Sequence, residues 1–332
     1  MWLLDFEFIL PGLETGLREW ALPLLPDREI FSEPEHKGAR CRLGASSLDT
    51  SRLTDYPARR SDLKIMRQEV VAAVCVVGRL LAKNLRDESA REALALYATT
   101  SFGGRELEDE LDKIISALHQ VGERNEVESL KRALHPLFGL KALTNSAEAF
   151  VAQTYGLRGE NATFGDLSSS GRAALDAASM AFELGKSTEA IVLGTSTGSI
   201  YNLHHSESYA SAATSVLRES PGVAALLFSA RPQGTSPQLR SPVGESETFD
   251  LGIFCGFDTE RLRCGAPLVR AESCKTRVLL SEVWGSLGSA SLPVALALAG
   301  TYLRQYPSAR VLVLDVDAFG LLTEYVLQGM PK

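Results

Sequence analysis

A basic excess is missing from this chain of 332 residues. Its 34 Lys and Arg stand against 41 Asp and Glu, for a formal net charge of -7, and no Lys/Arg run exceeds doublets such as Arg59-Arg60. The electrostatic term that dominates nucleic-acid affinity is therefore absent, and nucleic acid is not an expected partner. Long apolar runs are missing too: none, Leu292 to Leu298 included, reaches the roughly 18 residues that a membrane span needs. The five cysteines (41, 75, 255, 264, 274) are an odd set without CxxC pairs, which argues against a zinc site or a disulfide framework and for reduced, structural thiols. The opening stretch, Met1 to Leu10, has no basic region and is interrupted by Asp5 and Glu7. It reads as a strand and not as a signal peptide, so a cytoplasmic protein is expected.

What is present suits a globular α/β protein. The 45% hydrophobic and 23% charged content of 332 residues supports a large core, as one big domain or two smaller ones. After the opening strand, Gly12 to Leu22 has helical spacing, and residues 25–62 read as a long surface loop. From Asp62 to Asn84 the apolar residues recur at three and four, which predicts a helix with one buried face. Ala93 to Ala98 reads as a strand, followed by a turn through Gly103-Gly104 into acidic helical segments at 105–112 and 123–132, both expected to be solvated faces.

The centre of the chain is patterned most clearly. Asn161 to Leu167 suits a strand, Ser169 to Leu184 a helix and Glu189 to Gly194 a buried parallel strand, together a βαβ unit. Ala173, Ala174, Ala177, Ala178 and Ala181 put small residues on more than one side of that helix, which predicts one packed between layers. Gly222 to Ser229 reads as another strand, and the Pro-, Gly- and Ser-rich stretch 232–247 as a linker. Strands are expected at 251–257, 277–282, 309–316 and 322–327, with a helix at 289–304. Alternating strands and helices in two halves imply an α/β architecture. Similar strand–Gly–helix passages around Gly171 and Gly288 are compatible with internal duplication.

Several of these segments resemble the β-ketoacyl synthases of the thiolase-like superfamily. Gly156-Leu-Arg-Gly-Glu-Asn-Ala-Thr163 is similar to the Gly-Leu-Arg-Gly-Pro-Asn-x-Thr run of that family, and Ser168, Ser170 and Gly171 fall on its Ala-Cys-x-Ser-Gly, with Ser168 in the place of the nucleophilic cysteine. Ile191 to Gly194 resembles the strand after the Ala-rich helix, and Pro136 to Asn145 the loop that reaches toward the dimer partner's acyl pocket. In the second half, Val283 to Ser291 resembles the Ile-Gly-His-Thr-Leu-Gly-Ala-Ala-Gly run with Gly285 where the histidine would stand, and Phe319-Gly320 the Phe-Gly near the carboxyl end. Nothing in 233–280 resembles the His-Gly-Thr-Gly-Thr motif.

The resemblance implies a layered αβαβα sandwich of two pseudo-duplicated halves, residues 1–232 and a shortened 233–332. It implies dimerisation through the strand before Ser168. It also implies lost chemistry. A thiolate is a strong nucleophile, whereas a serine hydroxyl stays protonated without a base. Two histidines would hold the charge developing during decarboxylation, and one such donor is worth on the order of 10²–10³ in rate. All five histidines, His36, His119, His135, His204 and His205, precede the second half.

The expected function is thus a non-catalytic subunit, similar to a chain-length factor of a type II polyketide system. It would pair with an active ketosynthase, as a heterodimer or a higher assembly, and meet acyl carrier protein through that complex. Phe138, Leu140, Leu143, Thr144, Asn145 and Phe164 would line the acyl tunnel or the partner interface, with plain core packing as the other reading of the apolar ones. No cofactor and no metal are called for.

Two alternatives stay open: a serine-dependent acyltransferase or thioesterase using Ser168, and a scaffolding homodimer that binds acyl carrier protein. Ser168 equally suits a helix cap. His204-His205 suit a metal, a base or a plain surface, though adjacent residues of an extended chain point apart. Asp315 and Asp317 alternate at a strand end and are expected to be solvated or bonded to loops, without a catalytic role. Gly103-Gly104 lacks a full phosphate-binding pattern and reads as a turn.

Overall fold

Ten strands form two sets of five that repeat one strand order and one reversal of direction. The computed structural model describes residues 1–11, 13, 43–45, 48, 50, 53, 61–84, 87–101, 105–119, 134, 136–165, 169–198, 217–241, 244, 247–256, 272–316 and 321–329. In the first half, β1 (Trp2–Ile9), β3 (Ala95–Thr100), β4 (Asn161–Gly165), β5 (Glu189–Thr197) and β7 (Pro221–Ser229) lie in the order β4-β3-β5-β7-β1. In the second, β8 (Gln238–Arg240), β9 (Phe249–Gly256), β10 (Cys274–Leu279), β11 (Arg310–Val316) and β12 (Leu322–Gln328) lie in the order β10-β9-β11-β12-β8. Each set has three parallel strands, then one antiparallel to its neighbours: β7 between β5 and β1, β12 between β11 and β8. The halves meet at a seam where Trp2 of β1 stands opposite Gln238 of β8. Two further short strands, β2 (Leu43–Ala45) and β6 (Leu217–Glu219), pair with each other.

Alternation along the strands sorts their side chains into layers. On β7, Ala224, Leu226 and Phe228 enter one core cluster, Val223, Ala225 and Leu227 another; β9 and β11 likewise divide between the first cluster and a third. The shared cluster holds the two central helices, α6 (Ser169–Glu183) and α8 (Ser291–Gln305). The second cluster lies under α1 (Gln68–Lys83) and α5 (Ser146–Tyr155) on the outer face of the first sheet. Among the described residues, the other α-helical segments are α2 (Glu88–Glu92), α3 (Arg105–His119), α4 (Phe138–Lys141) and α7 (Leu280–Val283).

The two central helices approach closely. A Cβ on Gly171 of α6 would stand 3.0 Å from Leu292 Cβ and 3.2 Å from Pro293 Cδ of α8. Pro293 lies in the first turn of α8, where a backbone N–H has no helical partner to lose. The second half is the leaner one. Residues 10–94, with α1, join β1 to β3, whereas residues 241–248 alone join β8 to β9.

Several expectations are corrected. The helix expected from Asp62 starts at Gln68, behind a short 3₁₀ turn at Asp62–Lys64, and is buried all round through Glu69–Val77 because it is wedged between the sheet and α5. There Tyr155 donates to the Val74 carbonyl at 2.6 Å. α6 packs in the central layer as expected, but the more fully enclosed central helix is α8; α6 leaves Asp176, Met180 and Glu183 exposed. The strand expected at 277–282 runs over Cys274–Leu279, and Leu280–Val283 turn helical. β2 lies within the supposed loop 25–62 and β8 within the supposed linker 232–247. β4 and β5 do not pair with each other, since β3 lies between them. The segments 14–22 and 123–132 fall outside the described residues. No described helix is long and apolar enough to cross a membrane.

Candidate functional site

The carboxyl ends of parallel strands are where open α/β sheets take their ligands. In the first half these ends are closed by hydroxyl groups. Thr99 of β3 donates to the Ser289 carbonyl at 2.7 Å, Thr195 of β5 donates to the Thr99 carbonyl at 2.7 Å, and the Ser289 hydroxyl bonds to the Thr195 carbonyl and lies 3.1 Å from Ser101 Oγ. All four residues are buried. Ser289 belongs to the 3₁₀ turn Gly288–Ala290, so the second half plugs the strand ends of the first. The neighbouring Ser196 hydroxyl donates to the Ser220 carbonyl at 3.2 Å. These partners are carbonyls and another hydroxyl, neither of which can act as the base that would make a serine nucleophilic.

The corresponding ends in the second half carry ionisable groups. Cys255 of β9 and Asp315 of β11 stand opposite each other in the parallel ladder, and the Cys255 thiol donates to Asp315 Oδ1 at 3.4 Å. Burial first, then the Asp315 carboxylate, pushes the thiol well above its usual range, so Cys255 stays protonated. Asp315 is 2% exposed, so of the two expectations, solvated or bonded to loops, the solvated one does not hold. Tyr325 of β12 is buried close by, and burial, followed by Asp176 and Asp315, raises its hydroxyl far above the ordinary value. Arg172 of α6 reaches the group from above, 3.5 Å from Thr323 Oγ1 and 3.4 Å from Asp176 Oδ2. Sequence reading missed the pair because each member was weighed alone. The pairing comes from the parallel register of β9 and β11, which no local pattern in the sequence records.

Gly285 is buried just after α7 with φ +76°. The backbone is left-handed there, a conformation that costs a side-chain-bearing residue roughly 1–2 kcal/mol. Ser168 lies outside the described residues, as do His36, His135, His204, His205, Gly103, Gly104, Asp317, Phe319 and Gly320. His119 is exposed at the end of α3. Among the described residues no cluster of His, Cys, Asp and Glu could hold a metal ion.

The remaining candidates are Phe164 of β4 and the segment that leads into α5. Phe138, Leu140, Leu143, Thr144 and Asn145 form α4 and the turn that leads into α5; Leu140 and Leu143 are about half exposed. Phe164 is partly buried against the central core from β4, the outermost strand of its half. The adjacent Thr163 faces the other way and lies 3.5 Å from Glu148 of α5. Phe164 and the helix entered from Asn145 are therefore on opposite faces of the edge strand. Desolvation raises the Glu148 carboxyl above its usual range. Glu160, just before β4, accepts from Tyr97 at 2.9 Å and Lys186 at 2.8 Å, and burial with this bond pushes the Tyr97 hydroxyl up to about 12.

No protein-family model and no curated protein matches the chain. Solved structures do. A β-ketoacyl synthase from Burkholderia phymatum superposes with a TM-score of 0.68 at 12% identity, covering 99% of both chains. A ketosynthase in complex with its chain length factor from Xenorhabdus doucetiae gives 0.65 at 13% identity, over 99% of this chain and 98% of that one. A type II acyl carrier protein in complex with its ketosynthase gives 0.62 at 15% identity, over 82% and 87%. The chain therefore has the thiolase-like α/β fold of the ketosynthases.

Proposed function

We propose that this protein is a non-catalytic ketosynthase-like subunit that pairs with an active ketosynthase and shapes its acyl tunnel, as a chain-length factor does. The observation that carries this reading is the closed hydroxyl plug at the first-half strand ends, Thr99, Thr195 and Ser289, near β4, which among the described residues has a strand on one side only. The left-handed backbone at Gly285 supports it, because a glycine stands where the resemblance would place a histidine. We take Ser168 as a helix-capping residue and not a nucleophile.

In this reading Phe164, from the central side of β4, and the Phe138–Asn145 segment contribute bulk at the contact with the partner, and product length is limited by sterics. A sheet edge presents unpaired N–H and C=O groups that a second strand can satisfy, and β4 would supply that edge. Acyl carrier protein, present with a ketosynthase in one of the similar structures, would be met through the complex. We take the two halves as residues 1–232 and 233–332.

The test is co-expression with a ketosynthase from the same source, followed by co-purification and intact mass measurement. A one-to-one complex whose smaller subunit carries no acyl group supports the reading. Turnover of an acyl thioester by this chain alone would overturn it.

A further inference from the structure

A cleft of about 360 Å³ opens where the two halves meet, at the small end of the range of about 300–1,000 Å³ in which small molecules are bound. Its floor is apolar and buried, Leu3 and Phe6 of β1 with Leu303 of α8, and the turn 233–237 between β7 and β8 rims it. The cleft is remote from the plugged strand ends. β1 runs parallel to β5, both being antiparallel to β7, and the cleft lies at the amino end of β1, away from Thr99 and Thr195.

Among the described residues β1 has a strand neighbour on this side at Trp2 alone, which leaves the room. At the bulge that follows, Asp5 accepts from the Phe6 N–H at 2.8 Å, from Asn84 at 3.0 Å and from Arg304. Arg304 is thereby held over Phe6, its Cζ 3.9 Å from the ring centroid. Phe6 is held in turn, since a Cβ on Gly300 of α8 would fall 2.3 Å from its Cε1. One side of the guanidinium is thus taken by a ring and one edge by a carboxylate, while the Arg304 side chain stays half-exposed in the cleft.

We infer that this cleft binds a neutral, flat aromatic molecule of one or two rings, seated on the apolar floor against Arg304. The volume sets the size, and charge selects against ions. Asp5 already balances Arg304, which lies in the last turn of α8, so an anion would have to displace a largely buried carboxylate or face the carbonyl end of that helix. A cation would face Arg304. A neutral ring gains both from the apolar floor and from stacking on the guanidinium, whereas an aliphatic molecule of the same size gains from the floor alone. The site stands whether or not the function proposed above does, because none of its residues belongs to the plug or to β4.

Indole, benzoate and cyclohexanol, each titrated to about 10 mM against the full-length protein, test the assignment by saturation-transfer NMR and by melting temperature. Indole should show transfer and raise the melting temperature; benzoate and cyclohexanol should do neither. Arg304→Met keeps the length of the side chain and removes its planar cation, and Thr235→Trp fills the cleft from its exposed rim without touching the floor. Each should weaken indole binding about tenfold or more, with circular dichroism unchanged. Thr235 is exposed, so its variant stays informative even where loss of the bond to Asp5 loosens the other. Absence of indole binding to the wild type, indole binding unaltered in either variant, or benzoate or cyclohexanol bound as well as indole overturns the inference.

Discussion

Thr99 of the first half and Ser289 of the second are joined by a buried hydrogen bond of 2.7 Å, 190 positions apart in the sequence. That bond fastens a turn of one half over the strand ends of the other. Thr99→Val keeps the shape and removes the donor, leaving a buried carbonyl short of its side-chain partner, at a cost of about 1–3 kcal/mol. Urea unfolding followed by circular dichroism should show a lower midpoint. An unaltered midpoint would mean that the plug contributes nothing to stability.

Close approach of β5 to α8 makes a second prediction. A Cβ at Gly194 would stand 2.6 Å from Pro293 Cγ and 3.2 Å from Ala290 Cα, in a core with no room to give. Gly194→Ala should destabilise by about 1–3 kcal/mol through overpacking. Gly139→Ala, where nothing lies within 4 Å, serves as the control and should leave the melting temperature where it was.

Acid sensitivity should trace partly to Glu247. Its bond with Arg240, together with a backbone bond from Gly244 and the nearby Arg310, depresses its carboxyl to about 2. A depressed carboxyl contributes stability above the ordinary carboxylate range and loses it as pH falls through that range toward the folded value. The loss attributable to Glu247 therefore falls between about pH 4.5 and 2, the unperturbed value and the depressed one. Glu247→Gln should flatten the stability–pH curve there, and a curve superimposable on that of the wild type would refute the assignment.

Cys255 should resist alkylation in the native chain. Its thiol is buried, bonded to Asp315 and held protonated, and the thiolate is the reactive form. Iodoacetamide at pH 8, with peptide mass spectrometry, should leave Cys255 unmodified until denaturant is added. Rapid modification under native conditions would show that the pair is open to solvent.

Product length should respond to bulk at the proposed contact. In the complex with a ketosynthase, Phe138→Ala and Phe164→Ala should each shift products toward longer chains, read by mass spectrometry of the released acyl groups. Unchanged lengths with intact assembly would argue against a tunnel role.

Most strands were legible because they are short continuous apolar runs, as at Gly222–Ser229 and Ala309–Val316, and a strand buried on both faces needs no alternation. β2, β6 and β8 were not. Three residues carry no period, and pairing with partners distant in sequence is what orders them. The enclosure of α1 was hidden for another reason: periodicity shows which side must be buried, but not that Tyr155 and α5 cover the other. At the site, the resemblance drew attention to Ser168 and Gly285, while Cys255 and Asp315, 60 positions apart, meet only because β9 and β11 are neighbours in register. No local pattern carries that adjacency.

The seam between the half-sheets is slight: one opposed residue pair, Trp2 and Gln238, flanked by the backbone bonds of Leu3 to Pro237 and Leu239 to Met1. Cohesion between the lobes consequently falls to the interleaved central helices and to the Ser289 plug. A polypeptide cleaved between Ser229 and Gln238 would keep nearly all of its strand pairing within each fragment, and its fragments would be expected to recombine through helix packing.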